Sequence, residues 1–191
     1  MQEVSEDIIS RCQNGNVAAF AQLVERYERP LFAYVYRLGC ATVDLEPEDI
    51  VQEIFLKVYQ DIHNFKQLPG ACFSTWIFTI ARNHCIDLMR KKKKDAHRKE
   101  PENKTMTDLP DQKLADAQQT ILQKENAKHI SIAVEKLLEP FRTALILRYY
   151  EDMGYAEIAQ ILHCSEGTAK SRVARAKHML NGLLKRTGQI G

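Results

Sequence analysis

A chain of 191 residues is long enough for one or two domains with real cores. Hydrophobic residues at 45% and charged residues at 27% indicate an ordinary globular protein, and a net charge of +2 is too near neutral to point to a partner. No apolar run has the length of a membrane span, and the acidic, amphipathic start MQEVSEDII does not read as a secretory signal, so a cytoplasmic protein without membrane insertion is expected.

Cys12, Cys40, Cys72, Cys85 and Cys164 are odd in number and widely spaced, with no CxxC pair, and read as reduced thiols. That spacing offers no recognisable zinc motif, so neither metal nor cofactor is expected. Gly and Pro are scarce and strand-like alternation is absent, which predicts an all-α fold.

A short amphipathic helix is expected near Glu3 to Cys12, ending at Asn14-Gly15. A longer one follows from about Val17 to Leu38. Its Phe20, Leu23, Val24, Tyr27, Leu31, Tyr34 and Val35 recur at threes and fours and share one stripe. Gly39 closes it, and Pro30 within it predicts a bend or one lost hydrogen bond. A third helix opens at Pro47, a residue suited to the first helical position, and runs to about Asn64. Ile50, Val51, Ile54, Phe55, Val58 and Ile62 form its buried side. The other face carries Glu48, Asp49, Gln52, Glu53 and Gln60, with Leu56 among them. Acids around one apolar residue suit a basic partner protein. The same acids also stabilise a helix N-terminus, which accounts for Glu48 and Asp49 but not for Leu56.

After a loop over Phe65 to Cys72, a fourth helix is expected from about Ser74 to Lys93. Trp76, Ile77, Ile80 and Leu88 face inward, while Thr79, Asn83, Asp87 and Arg90 make a polar stripe. The run Arg90, Lys91, Lys92, Lys93, Lys94 holds more cations than a helix dipole needs and attracts phosphates. From Asp95 to Gln112 the chain is charged, carries Pro101 and Pro110, and reads as a flexible linker. The domains are therefore placed at 1–94 and 113–191, with the linker at 95–112. Helical periodicity resumes from Leu114 to Leu138, and Pro140 opens the helical stretch FRTALILRYYEDM, whose Ala144 to Leu147 supply core.

The stretch Glu151 to Leu184 is the most informative. A helix over about Tyr155 to Leu162 and the turn His163-Cys164-Ser165 precede a second helix. Ser165 is placed to cap it. Ala169, Val173, Ala176, Leu180 and Leu184 form its apolar stripe; Gly167, Ser171, Ala174, Arg175 and His178 point the opposite way, with Lys170 and Arg172 on the flanks. Helix, short turn and basic helix make a helix-turn-helix, whose second helix can read base edges in a major groove while its flanks hold phosphates. A solvated basic helix in an ordinary bundle is the alternative.

Four stretches then carry a resemblance. AFAQLVERYERPLFAYVYRL, EDIVQEIFLKVY, FSTWIFTIARNHCIDLMRKKKK and MGYAEIAQILHCSEGTAKSRVARAKHML, in this order, resemble the conserved segments of bacterial RNA polymerase sigma factors of the extracytoplasmic-function (ECF) type. The resemblance implies a sigma region 2-like bundle and a region 4-like helix-turn-helix domain. It implies that Asp49, Gln52, Glu53 and Leu56 dock on the clamp coiled coil of the polymerase β′ subunit. It further implies that Lys66, Arg82, Asn83, Asp87, Arg90 and Lys91 line the melted −10 strand, with the loop from Lys66 to Cys72 taking up a flipped base. Trp76 fits either a wedge at that strand or a core aromatic. In the C-terminal half it places Ser171, Ala174 and Arg175, with Thr168, at the −35 element, and Lys170 and Arg172 on phosphates. The implied partners are core polymerase, through β′ and the β subunit, promoter DNA and an anti-sigma factor; no catalytic residue is implied. Two rivals are a stand-alone helix-turn-helix regulator and an enzyme using Cys85, His84 or Asp87 on the fourth helix.

Overall fold

The computed structural model describes residues 4–41, 45–66, 72–96 and 129–186. Every regular element among them is helical. Helix α1 (Glu6–Gln13) ends in two backbone bonds, Asn16 N–H to Arg11 O and Gly15 N–H to Cys12 O, with Gly15 at φ 77°. Only a residue without Cβ takes that left-handed corner at no cost, so Asn14-Gly15 stops the helix.

Helix α2 (Val17–Leu38) is capped by Asn16, whose Oδ1 accepts from Ala19 N–H at 2.9 Å. Pro30 lies inside it without ending it. The ring forfeits one hydrogen bond, while fully buried Tyr27, Leu31 and Tyr34 hold the turns on either side. Helix α3 (Pro47–Asp61) starts with a reciprocal cap between Glu46 and Asp49, and its last turn tightens into a 3-10 segment, Ile62–Asn64, that still buries Ile62. Helix α4 (Phe73–Ala96) packs against both. Trp76 lies 5.2 Å from Phe65 and 5.4 Å from Phe73, centroid to centroid, in an aromatic cluster with Tyr27, which favours the core reading of this residue.

In the C-terminal half the helix α5 is described over 129–135. It stops short of the expected Leu138, which instead precedes α6 (Glu139–Tyr149) and is exposed. Pro140, lacking an N–H, cannot extend the preceding hydrogen-bond ladder and starts a new one. Residues 113–128, and the linker expected over 95–112 beyond Ala96, lie outside the described residues. Helix α6 also ends earlier than the stretch FRTALILRYYEDM suggests. The chain turns at Asp152 (φ 53°), and Met153 N–H returns to Leu147 O at 3.0 Å, burying the Met153 side chain.

Helix α7 (Tyr155–Ile161) opens with Glu157 Oε2 accepting from Gly154 N–H at 2.6 Å. It closes with Cys164 N–H on Ala159 O and His163 N–H on Gln160 O, with His163 left-handed at φ 49°. Helix α8 (Glu166–Arg186) follows and packs on α6 and α7.

The two halves do not stand apart. Helix α2 packs on α6 and α4 on α7, and one continuous hydrophobic cluster runs through both. At the junction Tyr34, Leu38, Cys40 and Thr143 are all fully buried. Arg142 ties it together: it donates to Leu38 O at the end of α2 and to Glu135 O and Leu137 O after α5. Gly39 closes α2 in the left-handed region at φ 67°, which favours a residue without Cβ. Burial pulls the Arg142 pKa down and Glu135 opposes it, so the guanidinium keeps its charge against three carbonyls.

Candidate docking and nucleic-acid interfaces

Three surfaces carry the expected site residues. On α3, Asp49, Gln52 and Leu56 are exposed, and Leu56 leaves 61% of its surface in water. Asp49 spends one oxygen at home, accepting from Glu46 N–H at 3.2 Å, as the helix-terminus reading requires. Glu53 Oε2 lies 2.8 Å from His84 Nε2 on α4, within ion-pair distance but without hydrogen-bond geometry. Tyr59, one turn beyond Leu56, is also exposed and stacks edge-on with Phe20 at 5.0 Å. Leu56 and Tyr59 thus make a small apolar ridge beside the acids, a feature periodicity alone does not reveal because Tyr59 reads as either core or surface.

On α4, Asn83, Asp87, Arg90 and Lys91 are exposed, and Asp87 pairs with Arg90 at 3.5 Å. Lys66 is exposed at the edge of the described loop. Lys92 Nζ donates to Ala41 O at 3.1 Å, so part of the basic run fastens α4 to the end of α2. An open groove of about 610 Å³ between α3 and α4 is lined by Lys57, Arg90, Lys91, Lys93 and Lys94 against one acid, Asp87. Such a groove tracks a phosphate backbone. Lys57 escaped the sequence reading; its signal is a lone cation on an otherwise acidic helix face. Arg82 is the exception among the −10 candidates. Its Nε and Nη2 donate to Glu139 Oε1 and Oε2 at 3.1 and 3.4 Å, across the junction with α6, and Thr143 Oγ1 donates to the same Oε1 at 3.0 Å.

On α8, Lys170, Ser171, Ala174 and Arg175 are exposed, while Thr168 and Arg172 are half-buried. Ser165 Oγ accepts from Thr168 N–H at 3.2 Å, the expected cap. Ser171 Oγ donates to Thr168 O at 2.9 Å and keeps its lone pairs outward. Ala169, Val173, Ala176 and Leu184 are buried, so the two faces fall where their spacing puts them. Cys85, the rival nucleophile, is fully buried, and a hydrogen bond with Cys40 together with burial pushes its thiol pKa well up. A buried, protonated thiol is a poor nucleophile.

Residues 23–95 match the model of Sigma-70 region 2, and residues 132–180 that of Sigma-70 region 4. The chain is similar end to end to the ECF RNA polymerase sigma factor SigW of Bacillus subtilis, at 32% identity over 97% of this chain and 99% of that one. It is 28% identical to the RNA polymerase sigma-H factor of Pseudomonas aeruginosa, covering 96% and 95%. Among solved structures it resembles the sigma factor RpoE of Bartonella quintana, in complex with the anti-sigma factor NepR. The TM-score is 0.71 at 28% identity, over 87% of this chain and 96% of that one. Two sigma regions on one chain define a transcription-initiation factor. The chain belongs to the ECF-type RNA polymerase sigma factors.

Proposed function

We propose that this chain binds core RNA polymerase and directs it to promoters through three surfaces. The α3 face of Asp49, Gln52, Glu53 and Leu56 docks on the β′ clamp coiled coil, and the C-terminal domain also meets the β subunit. Lys66, Arg82, Asn83, Asp87, Arg90 and Lys91 hold the melted −10 strand and capture a base from it. Unstacking that base costs a few kcal/mol, which phosphate contacts along the basic groove and polymerase binding offset. Thr168, Ser171, Ala174 and Arg175 meet the −35 duplex, with Lys170 and Arg172 on its phosphates.

The working units are residues 1–94 and 113–191, joined by the segment 95–112. The protein is not an enzyme: polymerase supplies the metals and the chemistry. It acts in the cytoplasm, where polymerase is, and an anti-sigma factor holds it inactive until a stress or envelope signal arrives. The relative bound to NepR supports that partner class.

The observation that carries this reading is the outward face of α8, with Ser171, Ala174 and Arg175 exposed between basic flanks and opposite a buried stripe. Run-off transcription with core polymerase on the gene's own upstream region tests it. Transcripts that start only when the protein is added are expected; none at any candidate promoter overturns it.

A further inference from the structure

We infer that His84 of α4 is a positioning residue for the docking acid Glu53, and that its protonation state decides whether Glu53 is free to meet polymerase. The inference rests on the proposed α3 docking face and adds to it a residue from a second helix. Glu53 sits one turn before Leu56, with 43% of its side chain in water, so its carboxylate borders both solvent and the α3–α4 interface. On the inner side Oε2 meets His84 Nε2 at 2.8 Å. The His84 side chain is only 11% exposed, and its Nε2 has no hydrogen-bond partner. With a neutral ring, that contact gives neither group a bond worth keeping. A proton on the ring turns the same contact into a partly desolvated ion pair. Histidine is the side chain that passes between these two forms near neutral pH.

The other charges around the ring are of types that do not make that change. Lys57 of α3 and Asp87, Arg90, Lys91, Lys93 and Lys94 of α4 line the groove that His84 also lines. Carboxylates, ammonium groups and guanidiniums ordinarily hold their charge from pH 6 to pH 8. Helices α2 and α7 also pack on α4, and neither sends a charged side chain into this groove. Asp87 is paired with Arg90 at 3.5 Å, which leaves Glu53 as the acid that meets the ring. The consequence for docking follows from charge. A basic partner is drawn by Glu48, Asp49 and Glu53, and Asp49 already accepts from Glu46 N–H. When His84 is charged, Glu53 is neutralised from behind and held back beside Leu56. When His84 is neutral, the carboxylate turns outward without losing a hydrogen bond. Docking therefore weakens as pH falls through the histidine range and recovers as pH rises.

The test measures binding of the full chain to a fragment carrying the β′ clamp coiled coil, at pH 6 and pH 8 and fixed ionic strength. The native chain is expected to bind roughly two- to fivefold more weakly at pH 6. His84→Gln puts a neutral amide beside Glu53 and should bind at both pH values as the native chain does at pH 8. His84→Lys keeps a charge there and should bind at both as the native chain does at pH 6. Glu53→Gln, a change at a half-exposed position that spares the fold, should bind more weakly at pH 8 and lose the pH dependence. Titrating groups on the coiled coil act on every chain alike, so the differences between chains carry the result. If native and His84→Gln chains respond to pH in the same way, His84 does not govern Glu53 and the inference falls. It also falls if His84→Gln loses binding at both pH values with its melting temperature unchanged. Leu56→Glu separates this failure from failure of the docking reading. If Leu56→Glu binds as the native chain does, the α3 face is not the docking surface. If it abolishes binding while the native profile is flat, the docking face stands and the role of His84 alone is lost.

Discussion

Arg175 and Lys170 sit one and a half turns apart on α8, yet their proposed tasks differ. Arg175 lies on the outward face, opposite the buried stripe, and Lys170 on its flank. Arg175→Ala should cost about 1–3 kcal/mol at one −35 base and relax preference there, whereas Lys170→Ala should weaken all promoters alike and flatten the salt dependence. Binding of holoenzyme to a promoter library at several salt concentrations separates the two; uniform loss from Arg175→Ala would remove its base-reading role. Gly39 has a different kind of importance. At φ 67°, Gly39→Ala is expected to cost about 1–2 kcal/mol in urea denaturation. The sequence marks Gly39 as a helix end; that Arg142 from the other half donates to Leu38 O beside it is visible only in the packing.

Helices α3 and α8 show how far periodicity reaches. Their buried and exposed residues were legible because a helix 3.6 residues per turn leaves a chain little choice of face. Ser165 was legible as a cap for an equally local reason, and Ser165→Ala should lower stability by about 1 kcal/mol in a thermal melt. On α3, Leu56 is the cleaner probe of docking than Glu53, because Glu53 also faces His84. Leu56→Glu should abolish capture of the β′ coiled coil while leaving the melting temperature unchanged. Retained capture would mean that this face is not the docking surface. The ends of α5 and α6 were less legible. The turn at Asp152 is set by Met153 seeking the core, a contact with no local spacing rule.

The junction of the halves has a charge of its own. Burial raises the Glu151 carboxyl from 4.5 to about 7, with Arg37 of α2 pulling it back. Between those values the folded chain keeps a proton that the unfolded chain has released, so stability falls as pH rises from about 4.5 through 7. Glu151→Gln removes that dependence. The variant should match the native protein near pH 4 and exceed it by about 3 kcal/mol at pH 8, read by calorimetry across the range. A native-minus-variant difference that stays flat would show that Glu151 ionises freely.

What the sequence by itself determined is everything carried by neighbours three to five residues apart: an all-helical chain, the caps, the outward face of α8, the acidic face of α3 and the family resemblance. Only the tertiary structure decided that α4 lies on α7, that Arg82 is held by Glu139 rather than left on the surface, and that Lys57 joins the basic groove. Arg82 and Glu139 are 57 positions apart. No helical period links residues so distant. Their meeting depends on how two apolar faces, each satisfied in outline by its own half, share one core, and on Arg142 finding three carbonyls at the ends of two helices.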